Sequence, residues 1–237
     1  MRRMRHLKPR EIQGCALALD ASIPSSLYDA TSGGSQVAAD GAIARWEDQS
    51  GSGAHVTHAT GANRPQRKLA IQGGGDVVRF DGANDFLERT PTTGVDPNTQ
   101  FIVGIRRGSQ TGYRVMVSYG GTAGAIFNMR NSTDFVGTYT TADANSTFTA
   151  VADAAFTCSQ KDNSGVSWVA NGASAGSAAG NAANHDRVVI AAGYNLGSYQ
   201  FFSQIDMAEV AVYAMAIGDY VLRRLHHAKM LKWRISG

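Results

Sequence analysis

The sequence predicts an all-β fold, a sandwich or jelly roll of two antiparallel sheets with one C-terminal helix. Three observations carry this expectation. Of the 237 residues, 43% are apolar and only 17% charged, with 27 glycines against 5 prolines. Such a chain is too apolar and too weakly charged to stay disordered. Its surplus of glycine, alanine, serine, threonine and asparagine favours tight turns between short strands. Apolar residues alternate with period two through most of the chain, and a helical period occurs in one place. No run of about 18 apolar residues exists, so no membrane span is expected.

Taken in order, Gly14 to Leu19 reads as the first strand and Ala42 to Trp46 as the second. The turn-rich Asp48-Gln49-Ser50-Gly51-Ser52-Gly53 follows, then a short strand from His55 to Ala59. Val77 to Phe80 runs into Asp81-Gly82, a strong turn dipeptide, and Phe86-Leu87 comes next. Phe101 to Ile105 and Tyr113 to Tyr119 are expected to pair as a hairpin, followed by Ala125 to Met129 and Phe135 to Tyr139. Phe148 to Cys158 and Val166 to Ala170 precede Asn171-Gly172, the best hairpin turn in the chain. Ser174 to Asn184 reads as a long small-residue loop. Val188 to Ala192 and Phe201 to Tyr213 close the β part.

The helix spans Asp219 to Trp233, with an apolar stripe of Val221, Leu225, Ala228 and Leu231. Asp219 suits its N-cap, and Arg223, Arg224, Lys229, Lys232 and Arg234 suit the negative end of its dipole. The chain divides into a basic arm, residues 1–13, and one jelly-roll domain, residues 14–237.

Net charge is +3, but Arg2, Arg3, Arg5, Lys8 and Arg10 fall within the first ten residues. Without them 17 basic residues face 19 acidic ones, so the body carries −2. A basic arm on a near-neutral body suggests docking on an acidic surface, or a tail with no partner. Nothing else resembles a nucleic-acid footprint, and nucleic acid is not an expected partner. The short apolar stretch at Cys15 to Leu19 is broken by Asp20, so no signal peptide is read. Cys15 and Cys158 read as buried free thiols. Sequons at Asn131 and Asn145 are expected to be incidental.

The order of several motifs resembles the laminin-G-like, concanavalin-A-like jelly rolls of bacterial and bacteriophage proteins. They are Leu19-Asp20-Ala21-Ser22, then Trp46-Glu47-Asp48-Gln49-Ser50-Gly51-Ser52-Gly53, Arg64-Pro65, and Phe80-Asp81-Gly82-Ala83-Asn84-Asp85. Val169-Ala170-Asn171-Gly172, Ile205 to Tyr213 and the closing Lys232-Trp233 complete the series. The likeness covers roughly residues 14 to 234. It implies a concanavalin-A-like sandwich of two antiparallel sheets with a C-terminal helix. Most of these residues have turn and core roles: Asp48 and Ser50 capping a turn, Trp46 and Trp233 plugging the sandwich.

Chemistry is scarcer. A glycanase on such a fold needs paired carboxylates about 5 Å apart. The nearest pair, Asp206 and Glu209, is three apart and so expected on opposite strand faces. The resemblance gives Glu209 a structural bond. Gly172-Ala173-Ser174-Ala175-Gly176 matches a nucleophile-elbow pattern but lacks its strand-to-helix context. His55 and His58 should point to opposite faces, and no zinc spacing occurs. Asp81, Asn84 and Asp85 crowd oxygens into one turn, a set suited to calcium if carbonyls help, although turn chemistry explains them without a metal. No other cofactor is expected. For glycan binding, Tyr194, Asn195, Tyr199 and Gln200 supply aromatic faces and amides around Gly193 and Gly197; Tyr113, Tyr119 and Tyr139 are second candidates.

The fold hosts lectins, glycanases, adhesins and virion parts alike. With the basic arm and the single domain, the resemblance implies a non-enzymatic surface component of a bacteriophage virion, of capsid-decoration or fibre type. Its expected partners are other virion proteins of capsid or tail, and host-surface polysaccharide. A stand-alone lectin-like adhesion module is the second reading, and a glycoside hydrolase or lyase the third.

Overall fold

A computed structural model of the chain describes residues 7–90, 99–108, 110, 113–119, 126–129, 135–139, 143–162, 165–178, 187–195 and 197–236. The strands in chain order are β1 Cys15–Asp20, β2 Leu27–Tyr28, β3 Arg45–Trp46, β4 Val56–Thr57, β5 Gln66–Gln72, β6 Gly75–Asp81 and β7 Leu87–Arg89. There follow β8 Thr99–Arg106, β9 Arg114–Tyr119, β10 Ile126–Met129, β11 Phe135–Tyr139, β12 Asp143–Thr149 and β13 Ala155–Asp162. The last are β14 Val166–Ala170, β15 Ala173–Ala178, β16 Val188–Ile190, β17 Gly193–Asn195, β18 Ser198–Gln200 and β19 Gln204–Tyr213, before helix α1, Asp219–Trp233.

Two antiparallel sheets face each other. The helix sheet runs β15-β14-β13-β8-β19-β6-β5, with β1 beside β19. The hairpin sheet runs β12-β11-β10-β9-β16-β7-β4-β3-β2, and β17–β18 form a separate two-stranded ribbon. The expected jelly-roll sandwich with a terminal helix is therefore the observed architecture.

Three apolar layers result. Between the sheets lie Leu19, Phe80, Ile102, Trp168, Met207 and Val210 of the helix sheet, against Leu27, Trp46, Val56, Leu87 and Ile190 of the hairpin sheet. A second core joins α1 to the outer face of the helix sheet through Phe101, Val103, Tyr213, Leu222, Leu225 and Trp233. A third, small one packs the tyrosine ribbon on the hairpin sheet at Phe86, Val189 and Ala192. Strands β8 and β19, covered on both faces, are buried almost throughout. Each large side chain so buried contributes roughly 1.5–3 kcal/mol.

The structure departs from the sequence reading at several points. Strands β8 and β9 do not form a hairpin: β8 pairs with β13 and β19, and β9 with β10 and β16, in opposite sheets. The run from Phe148 to Cys158 is two strands, separated by a turn with Asp153 at φ +56°. Residues 174–178 of the expected loop belong to β15, paired with β14; residues 179–184 lie outside the described residues.

The helix also differs in detail. Its N-cap is Gly218, with Asp219 the first helical residue. Its buried side chains are Leu222, Leu225, His226, Lys229 and Trp233, while Leu231 is exposed. The expected stripe was rotated because two polar residues, His226 and Lys229, belong to the buried face. His226 sits between the hydroxyls of Ser159 and Thr157, each 2.8 Å from a ring nitrogen. Burial pushes its imidazole down to about 3, so it stays neutral.

Residues 7–13 of the arm belong to the body rather than standing off it. Ile12 is buried and Leu7 half-buried in the helix-side core, and Tyr213 donates its hydroxyl to the Pro9 carbonyl at 3.3 Å. Lys8 and Arg10 are exposed there; Arg2, Arg3 and Arg5 lie outside the described residues. Both described cysteines are free, and burial raises the Cys15 thiol to about 12 and the Cys158 thiol further. Among the described residues no helix is long and apolar enough to cross a membrane.

Candidate binding face

The ribbon β17–β18 places Tyr194 directly opposite Tyr199 and Gly193 opposite Gln200. Gly197 takes φ +87° in the turn between them, a conformation glycine reaches without strain. A Cβ on Gly193 would stand 3.2 Å from Val115 Cγ2 and 3.3 Å from the Gln200 carbonyl, so the ribbon lies close on the sheet.

Three elements distant in sequence then fix the two rings. Phe86 stacks on Tyr199 with centroids 4.1 Å apart and planes 27° apart, and His58 meets Phe86 edge-on at 4.2 Å. The Tyr199 hydroxyl donates to Glu88 Oε2 at 2.5 Å. Arg187 NH1 is 3.2 Å from the Tyr199 oxygen and 3.4 Å from Glu88 Oε2. The Arg187 guanidinium carbon stands 3.6 Å from the centre of the Tyr194 ring, a cation–π contact. The two tyrosine rings are 5.1 Å apart. Burial, and then the Glu88 carboxylate, raise the Tyr199 hydroxyl well above the usual tyrosine range, so it acts as a donor. Burial lowers His58, which is therefore neutral at pH 7.

The expected pair Tyr194 and Tyr199 is thus brought together, with half-buried Gln200 beside it. The side chains of Asn195, Tyr119 and Tyr139 lie outside the described ones. Sequence reasoning missed Phe86, Glu88 and Arg187, which reach the ribbon from β7 and from the residues just before β7 and β16. It also missed Phe201, which is 38% exposed with φ +58° and lies 5.9 Å from the expected candidate Tyr113. A large residue in that backbone region is uncommon.

The arrangement offers ring faces, a guanidinium and a carboxylate with bidentate reach. These are groups that hold sugar hydroxyls and C–H surfaces.

The carboxylates elsewhere are held in structural bonds. A bulge between Met207 and Glu209 turns Asp206 and Glu209 to the same outer face of β19, correcting the expectation of opposite faces. Asp206 accepts both Arg79 Nε and NH2 at 2.7 Å. Glu209 Oε1 accepts Lys232 Nζ and Trp233 Nε1, each at 2.7 Å, and Lys229 Nζ stands 2.6 Å from Oε2. Lys229 and Lys232 therefore serve Glu209 rather than the helix dipole.

The Asp81 turn is closed by its own backbone. Asp81 Oδ1 accepts the amides of Ala83, Asn84 and Asp85 at 2.8–3.2 Å, and Asp85 Oδ2 accepts that of Asp81 at 3.1 Å. Burial, and then the Asp81 charge, raise the Asp85 carboxyl to about 6. One oxygen already holding three amides suits a turn better than a cation. Asp48 caps its turn with Ser50 as expected, Oδ1 accepting the Ser50 amide at 2.8 Å and Oδ2 its hydroxyl at 2.7 Å, and it also staples the loop to β1, Oδ1 accepting the Ala18 amide at 2.8 Å. Burial opposes its charge, but these bonds outweigh it and hold the carboxyl below its usual range. His55 Nδ1 accepts the Asp48 amide at 3.1 Å. Ser174 lies on β15 after a hairpin turn, not at a strand-to-helix elbow.

No protein-family model matches the chain, and no curated protein matches it. Solved structures do. The binding domain of Paraclostridial Mosquitocidal Protein 1 superposes with TM-score 0.66 at 11% identity, over 96% of this chain and 56% of that one. A Trypanosoma rangeli sialidase in complex with sialic acid gives 0.63 at 11%, over 93% and 34%. The receptor binding domain of botulinum neurotoxin C/D mosaic serotype gives 0.62 at 9%, over 93% and 54%. The likeness is one of fold. This chain spans between a third and just over half of those chains' lengths.

Proposed function

We propose that the protein is a non-enzymatic binding module whose hairpin-sheet face, centred on Tyr194, Tyr199, Arg187 and Glu88, recognises glycans. The observation that carries this is the cross-strand tyrosine pair, held rigid by the Phe86 stack, the Glu88 acceptor and the Arg187 guanidinium. Rigid rings lose little entropy when a ligand settles on them. The fold likeness to a sialidase and to toxin binding domains supports the reading. So does the engagement of both outward β19 carboxylates in cation pairs, which leaves neither free as acid or base.

The test is a glycan array probed with the folded chain and with Tyr194→Ala. Signal from the wild type that is lost in the variant is expected. A blank array from folded wild type would contradict the reading.

We further propose, on the motif resemblance to laminin-G-like domains of bacteriophage proteins, that the module is displayed on a virion and docks on capsid or tail proteins through the basic residues 1–10. Mass spectrometry of purified particles from the source should find the chain in stoichiometric amount, and deletion of residues 1–6 should weaken particle binding. Absence from particles would leave a stand-alone lectin-like adhesion module.

A further inference from the structure

A cavity of about 330 Å³ lies between residues 7–10, β1 and the C-terminal half of α1, remote from the tyrosine ribbon. That is the low end of ligand-pocket sizes and room for roughly ten water-sized groups. Its charged lining is Lys8, Arg10, Lys229 and Lys232 against Asp20 and Glu209, four cations to two anions. Its apolar lining includes Leu7, Pro9, Ile23 and Ala228.

The acceptors in this lining already face cations, although Glu209 Oε2 accepts no hydrogen bond and meets only the Lys229 ammonium. Glu209 is held by Lys232, Trp233 and Lys229. Asp20 Oδ1 accepts the Ser22 amide at 3.0 Å and hydroxyl at 2.6 Å, and its Oδ2 accepts Lys232 Nζ at 2.7 Å. The donors are not all engaged. An ammonium carries three N–H groups, yet Lys229, only 4% exposed, faces a single carboxylate oxygen among the described residues. The side chains of Lys8 and Arg10 have no acidic partner among the described residues. A ligand that completes this lining must bring acceptors and negative charge, and an apolar body to cover the rest.

We propose that this cavity binds a small organic carboxylate with an apolar body. Its head is taken by Lys229, with Lys8 and Arg10 at the exposed side, and its body lies against Leu7, Pro9 and Ile23. A neutral amide could accept a hydrogen bond from Lys229 through its carbonyl but would bring no negative charge to a lining with four cations and two anions. The site is independent of the glycan reading, since the two share no residue.

Isothermal titration of the full chain with octanoate tests it, with octanamide and inorganic phosphate as controls for charge and for body. Saturable octanoate binding is expected, with both controls at least about tenfold weaker. Lys229→Met should weaken octanoate about tenfold, and the exposed double variant Lys8→Ala/Arg10→Ala, which leaves the Glu209 network untouched, about threefold. The double variant keeps the test decisive if Lys229→Met fails to fold. No saturable octanoate heat from folded wild type, equal affinity for octanamide, or unchanged affinity in either folded variant would overturn the proposal.

Discussion

The outer face of the helix sheet lies under a fifteen-residue helix, whereas the outer face of the hairpin sheet carries a ribbon of two three-residue strands. Both faces hold a carboxylate, cations and aromatic rings. Under the helix, Glu209 and Lys229 are almost fully buried and each is met by an opposite charge. Beneath the ribbon, Glu88, Arg187 and the two tyrosines are only half-buried. Similar residue types thus serve different ends according to what roofs them. Sealed from water, the Glu209 carboxylate becomes an obligation of the fold. Left partly wet on a rigid platform, such groups keep the capacity to exchange water for a ligand.

Breaking the helix side should cost most. Glu209→Ala strands the buried Lys229 ammonium, and removing one partner of a buried pair costs about 3–5 kcal/mol. For a chain of this size the melting temperature should fall on the order of 10 °C, read by circular dichroism. A variant within about 1 kcal/mol of wild type would place Glu209 among the dispensable surface charges.

The same side should also be the acid-sensitive one. His226 titrates near 6.5 when unfolded and about 3 when folded. The unfolded chain therefore binds more protons between those values, and stability is full above 6.5 and falls as pH drops towards 3. Asp85, raised from 3.8 to about 6, works in the opposite sense between those values, its contribution lost as pH rises through them. Denaturant titrations of His226→Gln should lose about one proton from the slope, ~1.4 kcal/mol per pH unit between roughly pH 6 and pH 4. An unchanged slope would show that His226 is not the sensor.

On the ribbon side effects should be smaller. Tyr199→Phe removes one donor to the half-buried Glu88 and should lower stability by about 1 kcal/mol. A loss as large as that of Glu209→Ala would erase the contrast between the two faces. Smallest of all, exchanging calcium for a chelator should leave the melting temperature unchanged, because backbone amides already close the Asp81 turn. A rise with calcium would assign that turn a metal.

What the sequence shows of this molecule follows the range of the interactions. The Asp48–Ser50 turn and the Asp81 turn are legible because their partners lie within a few residues, and Tyr194 finds Tyr199 for the same reason, whereas the bond from the Ala18 amide to Asp48 spans thirty positions. Phe86, Glu88 and Arg187 were invisible as site residues because 99 positions separate Glu88 from Arg187 and only sheet pairing unites them. The face of Glu209 was misjudged because one bulged residue reverses the alternation after it. The helix face was misjudged because His226 and Lys229 look polar in a pattern yet are buried once hydroxyls and a carboxylate receive them. The expected hairpin of β8 and β9 failed because neighbours in sequence cross between sheets in this sandwich.

The most direct test of the contrast is a glycan array run side by side on folded wild type, Tyr194→Ala and Glu209→Gln, below the melting temperature of each. The account predicts glycan signal from the wild type, its loss in Tyr194→Ala at little cost in stability, and its survival in the less stable Glu209→Gln. A signal that survives Tyr194→Ala and disappears in Glu209→Gln would contradict it, as would a blank wild-type array.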